Sequence, residues 1–293
     1  MPSLKDIRNR IKSVQSTQQT TKAMKLVAAS KLRKAQELIF NLRPYSKRLS
    51  DILHHLAATD IQSPFLESRP IQKVLLVVVT SNKGLCGAFN NAICKLALHT
   101  IQTEYQNISS TNIIILAIGK KAHDFFRKSP YQIIGEEYDV FHHLSFDYVS
   151  QLANLILEGY LNQKWDKVTL VYNSFKNIVV QLRMVETFLP ITLNKIEISH
   201  SNFAVKNYLF EPEQEIIISQ LVPVILKTNF YRIILDSNAA EHGARMVAMD
   251  KATENADALI KELRLQYNKA RQASITKEIL EIVGGAEALA TSN

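Results

Sequence analysis

The sequence predicts an α/β protein in which long N- and C-terminal helices form an antiparallel coiled coil and a central α/β domain carries a mostly parallel sheet. Three observations predict it. Among 293 residues there are only 8 glycines and none before Gly84, so the opening quarter of the chain is not making tight turns. Over residues 71–190, apolar β-branched runs alternate with helix-like stretches, the pattern of βαβ units in a Rossmann-like domain. Helical spacing then returns over residues 213–283. The scarcity of glycine also makes all-β sandwiches and collagen-like chains poor candidates, and a 46% hydrophobic and 21% charged composition supports a sizeable core and excludes global disorder.

The first domain, residues 1–58, reads as helix. Ser3 is its N-cap, with Asp6 in the first turn, where an acid suits the helix dipole. A 4/3 stripe follows through Ile7, Ile11, Val14, Gln18, Thr21, Lys25, Ala28, Leu32, Ala35, Ile39 and Leu42, as in a heptad seam. Gln18, Thr21 and Lys25 interrupt it, and Met24 and Val27 offer apolar surface one position aside. Pro44 is expected to kink or break the helix. Pro64 and Pro70 mark a linker to the second domain, residues 71–190.

There, residues 73–80 form a run suited to a strand buried on both faces of a parallel sheet. Helix 88–105, strand 112–118, helix 120–128, strand 132–135, helix 146–162 and strand 167–173 follow, and strand 178–185 closes a hairpin at the sheet edge. Residues 190–212 look irregular. The third domain, residues 213–293, is helical, with a predicted seam of Met249, Ala252, Ala256, Leu259, Leu263, Gln266, Ala270 and Ala273. Pro223 and Gly243 are its soft points and Gly284-Gly285 its expected end. Forty helical residues span about 60 Å, too long to wrap inside a compact domain. Two such helices, each with one narrow seam, either pair with each other or seek partners elsewhere.

The net charge of +8 is unevenly spread. Residues 1–48 hold twelve Lys and Arg against Asp6 and Glu37, a balance of +10, and the remainder is −2. Such an arm suits a polyanion: nucleic acid, an anionic membrane or an acidic protein surface. Cys86 and Cys94 are too few for a disulfide framework and read as reduced thiols. The longest apolar runs, residues 74–79 and 113–118, fall far short of the roughly 20 residues of a membrane span. The basic N-terminus has no apolar h-region of a secretory signal.

Chemical motifs are scarce. The turn at 80–89 carries Gly84 and Gly87 between a strand and a helix, but not the spacing of a dinucleotide or P-loop site. His54-His55 and His142-His143 are adjacent pairs without metal-ligand spacing. Cys86 reads as a reactive thiol or, more simply, a small apolar filler. Glu136-Glu137 reads as a solvated strand end rather than a catalytic dyad. No catalytic, cofactor or metal residue is assigned. Three classes remain: an enzyme, which would show turnover; a nucleic-acid binder, whose affinity would fall steeply with salt but which lacks interleaved aromatics; and an assembly protein, which would form a stoichiometric complex.

The two ends favour the last class. Lys5-Asp6-Ile7-Arg8 and residues 21–33 (TKAMKLVAASKLR) resemble the N-terminal helix of the gamma-subunit family of rotary ATP synthases. Residues 244–249 (ARMVAM), 267–276 (YNKARQASIT) and 281–286 (EIVGGA) resemble its C-terminal helix, and the turn Lys83-Gly84-Leu85-Cys86-Gly87 also matches. The resemblance implies a rotor without catalytic activity, standing inside a hexamer of alpha and beta subunits. It also implies contact with an epsilon subunit and a ring of membrane c subunits, and no nucleic-acid partner or cofactor.

By the same resemblance, Met24, Cys86, Arg271 and Gln272 contact beta, and Tyr208, Phe210 and Glu211 contact the c ring. The resemblance also implies that the basic N-terminal helix faces acidic loops of beta, and that the stretch 282–289, small and apolar apart from Glu287, suits a slippery sleeve. There is no chloroplast-type insert with a regulatory cysteine pair. With no clear transit peptide, the expected location is the cytoplasmic side of a bacterial inner membrane.

Overall fold

The computed structural model describes residues 3–57, 63–142, 144–191 and 214–291. The chain divides into two compact units, Met1–Val27 with Met246–Asn293, and Ala28–Arg245. Helices α1 (Leu4–Ala57) and α5 (Gln214–Thr291) each contribute to both.

The larger unit is built on a five-stranded sheet of β1 (Val74–Val79), β2 (Ile113–Ile118), β3 (Gln132–Glu137), β4 (Lys167–Phe175) and β5 (Gln181–Leu189). The strand order is β3-β2-β1-β4-β5. Every pairing is parallel except β4 with β5. All six residues of central β1 are buried, as its unbroken apolar run requires of a strand covered on both faces. Helices α2 (Phe89–Glu104) and α3 (Lys120–Phe126) cover one face, where Ile93, Ala97 and Phe126 meet Val74, Leu76 and Ile115. The other face holds α4 (Phe146–Leu161) and the 221–235 stretch of α5, with Ile156, Phe230 and Ile234 over Leu75, Val77 and Leu170.

The smaller unit is an antiparallel helix pair. Gln18 bonds Asp257, Thr21 bonds Thr253 at 2.8 Å, and Lys25 pairs with Asp250. Each step forward along α1 is a step back along α5. The same register sets Val14 against Ile260, Ile11 against Leu263 and Ile7 against Tyr267, and it exhausts α1 near Ala270. Ser3 and Asp6 close a reciprocal cap at the start of α1, Asp6 N–H to Ser3 Oγ and Ser3 N–H to Asp6 Oδ2, both 3.2 Å.

Several expectations are corrected. Helix α1 passes through Pro44 unbroken; the loss of one backbone bond is outweighed by Leu38, Ile39 and Leu42, packed against the core. Helix α5 runs through Pro223, Gly243 and Gly284-Gly285 alike. Pro223 stands beside buried Val222 and close to buried Leu226. Gly243 is no soft point. A Cβ there would lie 3.2 Å from the Phe175 ring and 3.3 Å from the Ile178 carbonyl, so its bareness lets the β4–β5 hairpin seat on the helix. Strand β5 begins at Gln181, not residue 178, because residues 177–180 form the turn.

The C-terminal seam is also displaced. Its inner positions are Met249, Thr253, Ala256, Ile260, Leu263, Tyr267, Ala270 and Ser274, while Gln266 and Ala273 are exposed. Alternate members lie one residue beyond those expected, a strict 4/3 repeat matching that of α1.

Candidate interaction surfaces

The seam of the helix pair is polar where it was read as interrupted. Gln18, Thr21 and Lys25 face Asp257, Thr253 and Asp250 instead of yielding to Met24 and Val27, which are exposed. Three consecutive polar layers fix register more than they stabilise. Lys25 and Asp250 retain side-chain exposures of 33% and 47%, so solvent screens their attraction. Replacing Lys25 by alanine is expected to destabilise the chain by under about 1 kcal/mol. A larger shift in its urea midpoint would contradict this assignment.

Met24 is 39% exposed, on the outer side of the pair. Arg271 and Gln272 are exposed just past the point where α1 is exhausted. Beyond them no other described segment accompanies α5, which presents Ile275, Ile279, Leu280, Ile282 and Val283 to solvent. An unaccompanied helix with this much exposed apolar surface is a binding element. Tyr208, Phe210 and Glu211 lie outside the described residues, as do His143 and the side chains of His54 and His55.

In an open α/β sheet, ligands bind at the carboxyl ends of strands where the order reverses, here between β1 and β4. That crevice is occupied by the chain itself. Ser81 N–H donates to Asn90 Oδ1 at 2.9 Å, and Asn90 Nδ2 donates to Ser81 Oγ at 2.9 Å and Cys86 Sγ at 3.2 Å. The Arg245 guanidinium reaches across from α5 to the Gly84 and Lys83 carbonyls, the latter at 3.2 Å, and to Glu241 at 2.6 Å. A turn that offers carbonyls to a cation is the reverse of a phosphate cradle, which needs free N–H groups.

Burial pushes the Glu241 carboxyl above its ordinary range, against the opposing pull of Arg245 and Lys31. Cys86 is 2% exposed. Its thiol is pushed up by burial, and that of Cys94, also buried, reaches about 12. The small-filler reading of Cys86 therefore fits the geometry. The turn meets solvent through Lys83, Leu85 (61% exposed) and Gly87. Sequence reasoning missed Leu85 and the Arg245–Glu241 clamp; the spacing of 241 and 245, one helical turn, was the only local signal. Glu137 accepts a bond from Tyr148 Oη at 3.4 Å, a structural role. Among the described residues, no three His, Cys, Asp or Glu side chains cluster as a metal site.

One buried group stands out beside the clamp. His242 Nδ1 has no hydrogen-bond partner among the described residues, and burial, aided by Lys31 and Arg245, lowers its pKa to about 4. A histidine depressed from 6.5 favours the folded state fully above 6.5 and loses that contribution as pH falls toward 4. The loss approaches about 3 kcal/mol. Glu241, raised by burial, works in the opposite sense. The readout is therefore the difference between wild type and His242→Gln, whose urea midpoint should fall less between about pH 7.5 and pH 4.5. Equal falls would contradict the depressed histidine.

Comparison with known proteins agrees with this geometry. The family model described as ATP synthase matches residues 3–289. The ATP synthase gamma chain of Cytophaga hutchinsonii is 48% identical, and that of Flavobacterium johnsoniae 47%, each over 99% of both chains. Among solved structures, a chain of the Euglena gracilis mitochondrial ATP synthase (OSCP/F1/c-ring) has a TM-score of 0.66 at 22% identity, covering 98% of this chain and 94% of its own. One from the Tetrahymena thermophila mitochondrial ATP synthase central stalk and c ring gives 0.56 at 23% identity, covering 80% and 99%. With a paired-helix seam, a mostly parallel sheet whose crevice is filled, and near-complete alignment to these relatives, the chain belongs to the ATP synthase gamma chain family.

Proposed function

We propose that this chain is a central rotor shaft, transmitting torque between a membrane c ring and catalytic beta subunits so that proton flow is coupled to ATP synthesis or hydrolysis. The observation that carries the reading is α5 beyond Ala270, a helix without a partner among the described residues and with exposed apolar side chains along it. Such a surface needs a sleeve, and an alpha–beta hexamer supplies one. The exposed cations of α1, among them Lys5, Arg8, Lys12 and Lys22, suit acidic loops that sweep past a turning shaft.

In this reading residues 1–58 and 213–293 form the shaft, and 71–190 the globular part that meets the ring and an epsilon subunit. Met24, Arg271 and Gln272 contact beta directly, and the Cys86 turn does so through Leu85. Tyr208, Phe210 and Glu211 contact the ring. A shaft that is not three-fold symmetric meets each beta subunit with a different face, and differential contact is what shifts a site between open and closed states. Catalysis belongs to beta. No described helix is long and apolar enough to cross a membrane, and attachment to the cytoplasmic face of a bacterial inner membrane is through the ring. The purified chain is expected to hydrolyse no ATP, and to join alpha and beta subunits of the same organism in a stable complex that does. Failure to co-assemble overturns the reading.

A further inference from the structure

The β4–β5 hairpin presents an apolar tip that none of the other described residues covers. Ile178, Val179, Val180, Leu182 and Met184 are all exposed, Val179 at 72%. The tip is ordered by its own bonds. The Asn177 side chain accepts from the N–H groups of Val179 and Val180 at 3.0 and 2.7 Å, and Asn177 N–H donates to the Val180 carbonyl at 3.1 Å. A turn held this way keeps its apolar side chains out in solvent rather than folding them under. Contiguous exposed apolar surface on a well-formed element marks an interaction site.

The hairpin shares its footing with the 83–88 turn. Both rest on residues 240–245 of α5: the hairpin through the close approach at Gly243, the turn through Arg245. Phe175 at the hairpin base packs with Cys86, Phe89, Ala240 and Ala244 in one cluster. Asn173 Nδ2 donates to the Phe89 carbonyl at 3.3 Å. The exposed cations are Lys83 on the turn and Lys176 and Arg183 on the hairpin, and none of the three makes an ion pair among the described residues. Neither segment, 83–88 or 175–184, contains an acid.

We propose that the β4–β5 hairpin is a docking element, continuous with the 83–88 turn, for an acidic loop of a partner subunit that carries apolar side chains. The proposal rests on the rotor reading and extends its contact surface to residues not otherwise assigned. Charge complementarity selects the occupant: three cations and no acid call for an acidic partner, and the β-branched tip calls for apolar contact beside it. A nucleic acid would want stacking aromatics, and the tip has none. An anionic membrane would want a denser basic cluster.

The test measures binding of the full chain to the assembled alpha and beta subunits over a range of salt. Lys176→Glu with Arg183→Glu is expected to weaken binding about tenfold or more and to flatten its salt dependence. Val179→Ser should weaken binding while leaving the salt dependence in place. Both variants change only exposed side chains, so the thermal midpoint of the free chain should hold; Lys176→Gln serves as the milder variant if it does not. Unchanged affinity and salt dependence in all three variants overturns the docking element while the rotor reading stands, because the wild-type chain has bound. Failure of the wild-type chain to bind overturns the rotor reading itself, and the docking element with it. Charge-sensitive binding to phosphatidylserine vesicles, without a change in subunit binding, assigns the patch to a lipid and overturns the proposal.

Discussion

Replacing Arg245 by alanine is expected to destabilise the isolated chain by about 3–5 kcal/mol. The guanidinium and its partner Glu241 keep side-chain exposures of only 14% and 10%. Removing the cation leaves a buried carboxylate unpaired and strips the Lys83 and Gly84 carbonyls of their donor. A solvent-exposed pair such as Arg33–Glu37 is worth a small fraction of this. Arg245→Lys should recover only part of the loss, because a point charge cannot serve a carboxylate and two carbonyls with fixed fork geometry. Arg245→Met with Glu241→Gln should be better tolerated than Arg245→Ala alone, since no charge is left stranded. Urea midpoints decide among these. The thiol of Cys86 supplies a second readout, because release of the turn should speed its modification in Arg245→Ala. An alanine variant as stable as wild type, with Cys86 still protected, would show that the clamp carries no load.

Gly159→Ala should destabilise the α/β domain by about 2–4 kcal/mol, although alanine is the better helix former by roughly 1 kcal/mol. An added Cβ would lie 1.9 Å from Trp165 Cζ2. The indole is pinned by its Nε1 bond to the Ile156 carbonyl at 3.0 Å and by burial to 4% exposure. It cannot swing away without losing that bond and opening the core around Tyr160 and Val168. Overpacking therefore outweighs propensity. The thermal midpoint and the tryptophan fluorescence maximum should both shift, since Trp165 is the sole tryptophan. A stabilised variant with unchanged emission would mean that the ring relocates freely.

Much of the fold was legible because it is periodic. The stripe from Ile7 to Leu42 could be walked residue by residue, and every member faces inward or is partly covered. The alternation of apolar runs and helices placed β1, β2 and β4 in a parallel sheet. Ambiguity entered where two neighbouring choices were equally apolar. Leu259 and Ile260 both extend a 3/4 repeat, and only pairing with α1 selects Ile260. Local punctuation misled in the same way. Pro44, Gly243 and Gly284-Gly285 are weak helix sites by propensity, yet tertiary packing or simple continuation keeps them helical.

The interaction surfaces were less legible because they are made by contacts distant in sequence. The turn at 83–87 was visible as a motif, but nothing local says that Arg245 holds it or that Leu85, rather than Cys86, meets solvent. The run at 178–180 read as the start of a strand, since β-branched residues suit strands. In the fold it is an exposed tip, and that difference between propensity and burial is what singles it out.

The central claim, that this chain turns inside its complex, is tested most directly by watching it turn. Both native thiols are buried, so an exposed Gln102→Cys on α2 accepts a bead without competition. With the alpha and beta subunits fixed to a surface and ATP supplied, the bead should rotate continuously in one direction, and stop when ATP is withdrawn. A complex that hydrolyses ATP while the bead only fluctuates about a fixed angle would contradict the rotor.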